Sequence, residues 1–188
     1  MRLEPLEIGH HEQLCEVGMD ESLWQWTTTN IKTPADMKDY IETALDERER
    51  GVSLPFVTIE KSSDKIVGAT RFGHIDVENR RCEIGWTWIN PSWQRTFVNT
   101  EAKLLMLTHA FETWKCIRVE LKTDVLNEKS QNAILRIGAQ KEGILRQHLI
   151  TDTGRFRDTV YFSIIDSEWQ TVKAHLEAKL RNSGRNKF

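Results

Sequence analysis

The sequence predicts an α+β domain: a mixed, mostly antiparallel central sheet of about seven strands with helices on both faces. Three observations predict it. Three β-prone runs separated by short turns fill residues 54–90, helical and strand-like periods alternate from residue 98, and a hairpin pattern near residue 153 precedes one more helical run. A chain of 188 residues can bury a core of its own. Residues 1–180 are expected as a single domain, and the last eight, RNSGRNKF, as a flexible tail over 181–188.

Taken in order, residues 2–6 read as a short strand and 11–18 as a helix. A helix over 34–50 is well marked. Thr33 is a good N-cap, Pro34 suits the first turn, and Met37, Ile41, Ala44 and Leu45 recur at helical spacing before Gly51. Strands follow at 54–60 and 65–73, joined by a turn at 61–64, and a third at 81–90 ends before Pro91. Residues 98–115 form a long helical pattern through Leu104, Leu107, Phe111 and Trp114. Residues 117–123 alternate Ile117, Val119 and Leu121 inward as a strand. A shorter helix over 127–137 is capped by Asn127 and closed by Gly138. Strands at 141–150 and 157–165 flank the turn at 151–155, and Trp169, Val172, Leu176 and Leu180 mark a last helix over 167–180.

Composition narrows the function. With 26 basic and 28 acidic residues the net charge is −2, which argues against a nucleic-acid partner or a polybasic membrane anchor. No apolar run approaches the ~20 residues of a membrane span, and the first residues lack a signal-peptide core. Cys15, Cys82 and Cys116 form no paired motif, and the six histidines show no metal spacing. A cytoplasmic protein with reduced thiols and no metal is expected. All six histidines read as structural or surface residues.

The informative stretch is EIGWTWINPSWQRTFVN, from Glu83 to Asn99. Here a strand ends at a proline, a short polar loop follows, and a long helix begins, so free backbone N–H groups and the helix dipole favour an anion. On strand 81–90, alternation places Glu83, Gly85, Thr87 and Ile89 on one face and Cys82, Ile84, Trp86 and Trp88 on the other.

This segment resembles the acetyl-coenzyme A site of the GCN5-related N-acetyltransferases, in particular the branch typified by the ribosomal-protein N-terminal acetyltransferases. The family's Q/R-x-x-G-x-G/A loop aligns with Gln94, Arg95, Thr96, Phe97, Val98 and Asn99, followed by Thr100 in the helix. Phe97 and Asn99 stand where small residues are usual, which restricts the approach of a diphosphate. Arg95 can compensate with charge-assisted contacts. Asn127 and Ser130 match the family's N-x-x-S motif, which the resemblance places near the pantetheine arm and the thioester. Read from residues alone, they are a helix cap and a solvated hydroxyl.

The same resemblance implies that amides near Trp88 and Ile89, where that strand parts from its neighbour, polarise the thioester carbonyl. It implies Glu83 as general base, since an ammonium has no lone pair with which to attack. Ser130, with Tyr161 behind it, is the candidate proton donor to the departing thiolate. The resemblance places acceptor specificity in Trp24–Thr27 and in the last hairpin from His148 to Asp158; Trp24 and Trp26 are either core rings or an aromatic wall beside the acceptor amine. The expected function is acetyl transfer from acetyl-CoA directly to a primary amine, of a protein N-terminus or a small molecule. The alternative is a non-catalytic CoA-binding or ligand-sensing module, suggested by Phe97 and Asn99. An exposed sheet edge and the tryptophan-rich face leave room for a homodimer.

Overall fold

The computed structural model describes residues 1–182. Its sheet contains β1 (Arg2–Pro5), β2 (Leu54–Glu60), β3 (Lys65–Asp76), β4 (Arg81–Ile89), β5 (Arg118–Asp124), β6 (Gln140–Ile150) and β7 (Phe156–Ile165). The order across the sheet is β1-β2-β3-β4-β5-β7-β6, and every neighbouring pair is antiparallel except β4 with β5. The helices are α1 (His11–Gly18), α2 (Pro34–Glu49), α3 (Val98–Thr108), α4 (Glu128–Arg136) and α5 (Trp169–Asn182). Of the tail expected at 181–188, Arg181 and Asn182 complete α5, and 183–188 lie outside the described residues.

Both faces of the sheet are covered, and each covering is a separate core. Ile84, Val119, Leu121, Val160, Phe162 and Ile164 pack with α3, α4 and α5, while Val57, Ile59, Ala69 and Trp88 pack with α1 and α2. The start of α2 shows how sequence sets an element. Thr33 Oγ1 accepts the Asp36 N–H at 3.2 Å, and Asp36 Oδ2 accepts the Thr33 N–H at 2.8 Å, with Pro34 opening the helix. Met37, Tyr40, Ile41 and Ala44 are then buried on one side. Full burial of an Ile or Met side chain contributes roughly 1.5–3 kcal/mol.

The long helix expected through Lys115 is α-helical only to Thr108. It widens into a π-turn over His109–Thr113 and stops as Lys115 takes φ 57°. Ile117 is 39% exposed and precedes β5 instead of packing inward. The largest departure lies in β4. Trp86 takes φ 48°, and Thr70 of β3 stands opposite both Trp86 and Thr87, a β-bulge. The added residue reverses the alternation beyond it. Ile84 therefore faces the α3 core while Trp88 faces the α1–α2 core, and Thr87 turns toward α3 to meet Lys103.

Candidate active site

β4 pairs with β5 only at Arg81, Cys82 and Glu83, opposite Arg118, Val119 and Glu120. Beyond Glu83 the two parallel strands part, and the bulge at Trp86 supplies the extra bend. Which peptide groups face the gap follows from alternation. The Asn90 N–H donates to Val67 O of β3 at 2.8 Å, so Trp88 also turns its peptide groups to β3. Its carbonyl oxygen comes within 2.1 Å of where a Cβ on Gly68 would stand, so only glycine fits there. Of the two amides expected in the gap, Ile89 presents its own there, and Trp88 is a core residue bound to β3. Ile89 O accepts Gln94 Nε2 at 2.9 Å.

Between β4 and α3 the chain is held by its own side chains. Asn90 Oδ1 accepts the Ser92 N–H at 3.0 Å, and Thr96 Oγ1 donates to Trp93 O at 2.7 Å. Arg95 is exposed and left-handed at φ 61°. Hydrogen bonding along α3 begins with the Glu101 N–H on Phe97 O at 2.9 Å, so the amides of Val98, Asn99 and Thr100 precede any helical acceptor. The Val98 N–H leans on Thr96 Oγ1 at 3.3 Å. Phe97 sits at φ −68°, a conformation any residue adopts, and its ring packs with Met1, Val67 and Val98. No glycine is needed at this position to form the turn. Open amides at a helix start with a guanidinium beside them fit a diphosphate.

At the base of the gap Glu83 is 3% exposed and faces the α1–α2 side of the sheet. Its Oε2 lies 2.8 Å from Lys122 Nζ of β5 and 3.6 Å from His74 Nε2 of β3. Lys122 Nζ also stands 5.8 Å from the Tyr161 ring, which meets the His148 ring edge-on at 5.7 Å. Further along the same face Asp124 is fully buried, paired with Arg155 and 4.0 Å from Arg157 Nε. The floor beside the gap is thus a row of charges in alternate sign. Lys122 and Asp124 were not expected, while His148, Arg155 and Arg157 fall in the hairpin segment 148–158 to which the resemblance assigns acceptor specificity. A signal for the first two is present in RVELKTD, where Arg118, Glu120, Lys122 and Asp124 fall on one face of an interior strand.

Asn127 caps α4, with Oδ1 accepting the Ser130 N–H at 3.0 Å, and Ser130 is half-buried in its first turn. β5 runs four residues past Glu120, the partner of Glu83, before α4 begins, about 13 Å at ~3.3 Å per residue. Ser130 and Glu83 therefore belong to opposite ends of the gap. Trp24 is a core ring at 4% exposure, donating Nε1–H to Gly18 O at 2.8 Å and packing on Tyr40 and Trp88. It is packed in the core and at the same time borders the cavity beside Arg155. Trp26 has Arg155 Cζ 5.7 Å from its ring. A cavity of about 500 Å³ opens between Glu21, Trp24, Lys32 and the turn carrying Asp152 and Arg155.

On the other side of β4, Lys103 is 4% exposed, its Nζ donating to Thr87 Oγ1 at 2.6 Å and Thr70 Oγ1 at 3.2 Å. Burial pushes this ammonium down to about 7. Among the described residues no three His, Cys, Asp or Glu side chains gather as a metal site, and no helix is long and apolar enough to cross a membrane. All three cysteines are free thiols.

Comparison with known proteins agrees with this architecture. Residues 1–140 match the acetyltransferase (GNAT) domain family. YdaF of Bacillus subtilis strain 168, to which ribosomal N-acetylation is attributed, is 31% identical over 172 residues, covering 89% of this chain and 92% of its own. A GCN5-related N-acetyltransferase from Brucella melitensis superposes with a TM-score of 0.86 at 32% identity, over 94% of this chain and 80% of that one. Mycobacterium smegmatis RimJ, solved in complex with CoA-disulfide, shares the fold with a TM-score of 0.79 at 22% identity, over 95% and 88%. With a matched domain that spans most of its length and relatives of the ribosomal N-acetyltransferase branch, the chain belongs to the GNAT family of N-acetyltransferases.

Proposed function

We propose that this chain, as one catalytic domain over residues 1–180, transfers acetyl from acetyl-CoA directly to a primary amine. One observation carries the reading: β4 leaves β5 just past Glu83 and runs on into the open amides of α3. Bound acetyl-CoA supplies an activated acetyl thioester. The amides of Val98, Asn99 and Thr100, with Arg95, hold the diphosphate, and Gln94 and Thr96 keep the loop in shape. The Ile89 N–H and the Asn127 side-chain amide offer hydrogen bonds to the pantetheine arm. Glu83, at the closed end of the gap, takes the proton that the amine nitrogen sheds as it attacks. Tyr161, whose ring lies 5.8 Å from Lys122 Nζ at the Glu83 end, is the hydroxyl from which the departing sulfur recovers a proton, while Ser130 stands with Asn127 along the pantetheine arm.

A protein N-terminus is the favoured acceptor. YdaF is named as a ribosomal N-acetyltransferase, and the cavity bordered by Trp24 and Arg155 is wide enough for a peptide end. The test follows free thiol release from acetyl-CoA with peptide and small-molecule amines. Turnover with at least one amine is expected. Glu83→Gln should lower kcat by about 100-fold or more while leaving CoA affinity in calorimetry unchanged. CoA binding with no turnover on any amine would favour the non-catalytic module, and absence of CoA binding would defeat both readings.

A further inference from the structure

We infer that His148 is a second catalytic base, which removes the first proton of the incoming ammonium before Glu83 removes the second. The inference rests on the amine acetylation proposed above and assigns a group to a proton that the proposal leaves without an acceptor.

The geometry begins with an irregularity in β6. Leu145 pairs with Thr159 and Leu149 with Arg157, so Arg146, Gln147 and His148 all stand opposite the single residue Asp158. Gln147 takes φ 47°, in the left-handed region that a long side chain rarely adopts, and its N–H donates to Asp158 Oδ1 at 2.7 Å. Bulges of this kind re-aim a side chain, and strained backbone at a cleft is a pointer to function. Here the bulge folds the imidazole over the sheet face that carries Glu83 and Lys122, against the ring of Tyr161. Its Nδ1 is shielded from water and has no hydrogen-bond partner. That shielding leaves Nε2 as the ring nitrogen through which the imidazole can exchange a proton with the cleft.

The groups around the ring set its charge. Lys122 from β5 and Arg157 from β7 repel an imidazolium, Glu83 from β4 attracts it, and Tyr161 of β7 lies against it. Burial and the two cations prevail, holding His148 below the usual histidine range. A neutral imidazole is what a base must be at neutral pH, and it does not repel an approaching ammonium. Glu83 by contrast already holds Lys122 at 2.8 Å.

The protons balance. An acceptor arrives as R–NH₃⁺ and passes one proton from nitrogen to His148 Nε2, leaving its lone pair on nitrogen; the imidazolium returns that proton to water from the same atom. The nitrogen then bonds to the acetyl carbon as the carbon–sulfur bond breaks and its electron pair leaves on sulfur. The second proton moves from nitrogen to Glu83, and the sulfur is protonated in turn. Amide, thiol and one released proton are the products.

The experiment compares His148→Gln and His148→Ala with the unaltered protein on two kinds of amine. One is a peptide N-terminus, charged on arrival. The other is methoxyamine or trifluoroethylamine, already neutral at pH 7. Loss of His148 should lower kcat/KM for the peptide by about 10- to 100-fold and leave the neutral amine within ~3-fold. The acidic limb of the peptide pH profile should move up by about one unit or more toward the ammonium's own pKa. Thermal melting and CoA affinity should not change. Equal losses on both amines, or an unmoved pH profile, would overturn the assignment while leaving acetylation itself intact. Failure of the unaltered protein to acetylate any amine would overturn both.

Discussion

Lys122 Nζ lies 2.8 Å from Glu83 Oε2, across the point where β4 and β5 cease to pair. The carboxylate is buried and the ammonium half-buried, so the pair is little screened by water. Removing one member strands the other, whereas removing both restores neutrality. Lys122→Met and Glu83→Gln should each cost about 2–4 kcal/mol in urea unfolding, and the double variant less than the sum of the two. Strict additivity would mean that the pair contributes no coupling.

Asp124 makes a sharper stability prediction. It is fully buried at the end of β5, faces Arg155 and Arg157, and accepts the Leu126 N–H at 2.9 Å. Arg157 is itself largely buried, and burial pulls its guanidinium below the ordinary range. Asp124→Asn keeps the shape but leaves that cation without a counter-charge, so a loss of about 3–5 kcal/mol is expected. Arg155→Ala should cost less, because Arg155 is one-third exposed. Chemical denaturation of the two variants checks the order.

Phe97 occupies the place of a family glycine, so Phe97→Gly is the natural attempt to improve the cradle. The structure argues the opposite. The backbone at φ −68° gains nothing from glycine, and the ring packs with Met1, Val67 and Val98. Phe97→Gly should therefore melt lower, by about 2–4 kcal/mol of lost packing and helix preference, with no tighter binding of CoA in calorimetry. A gain in affinity would mean that the ring obstructs the diphosphate.

What the sequence reveals and conceals can be traced to particular residues. Thr33–Pro34 announces α2 because a cap and a proline act through neighbouring backbone, a local effect. The run from Glu83 to Asn99 is legible for the same reason, as strand, loop and helix follow one another along the chain. The faces of β4 were misread beyond Gly85 because the bulge at Trp86 arises from pairing with Thr70, sixteen residues away, and leaves no mark in composition. His148 reads from sequence as a structural or surface residue because only the bulge opposite Asp158 turns it onto the Glu83 face. Trp24 and Trp26 are two residues apart, yet Trp24 packs on Tyr40 and Trp88 while Trp26 meets Arg155, partners drawn from distant parts of the chain. Lys103 sits in a helical run of ordinary composition, so nothing local tells that its amine is buried.

That lysine gives the molecule a pH signature. In the folded chain its ammonium is brought to about 7 by burial, against 10.5 when unfolded. Between these values the unfolded chain holds a proton that the folded chain lacks, so this group makes stability rise with pH. Below about 7 both states are protonated and the cost of burying the charge is present in full; above 10.5 it has gone. Lys103→Met removes the cost and leaves Thr70 and Thr87 hydrogen-bonded to each other at 2.7 Å. The variant should be more stable than the parent by about 1–2 kcal/mol at neutral pH, read as a Tm higher by ~3–8 °C. That advantage should shrink steadily as melting is repeated toward pH 10. Cys82 and the other shifted groups are common to both proteins and cancel in the difference. An advantage that stays constant with pH would show that the amine titrates alike in the folded and unfolded chain, and that packing alone separates the two proteins.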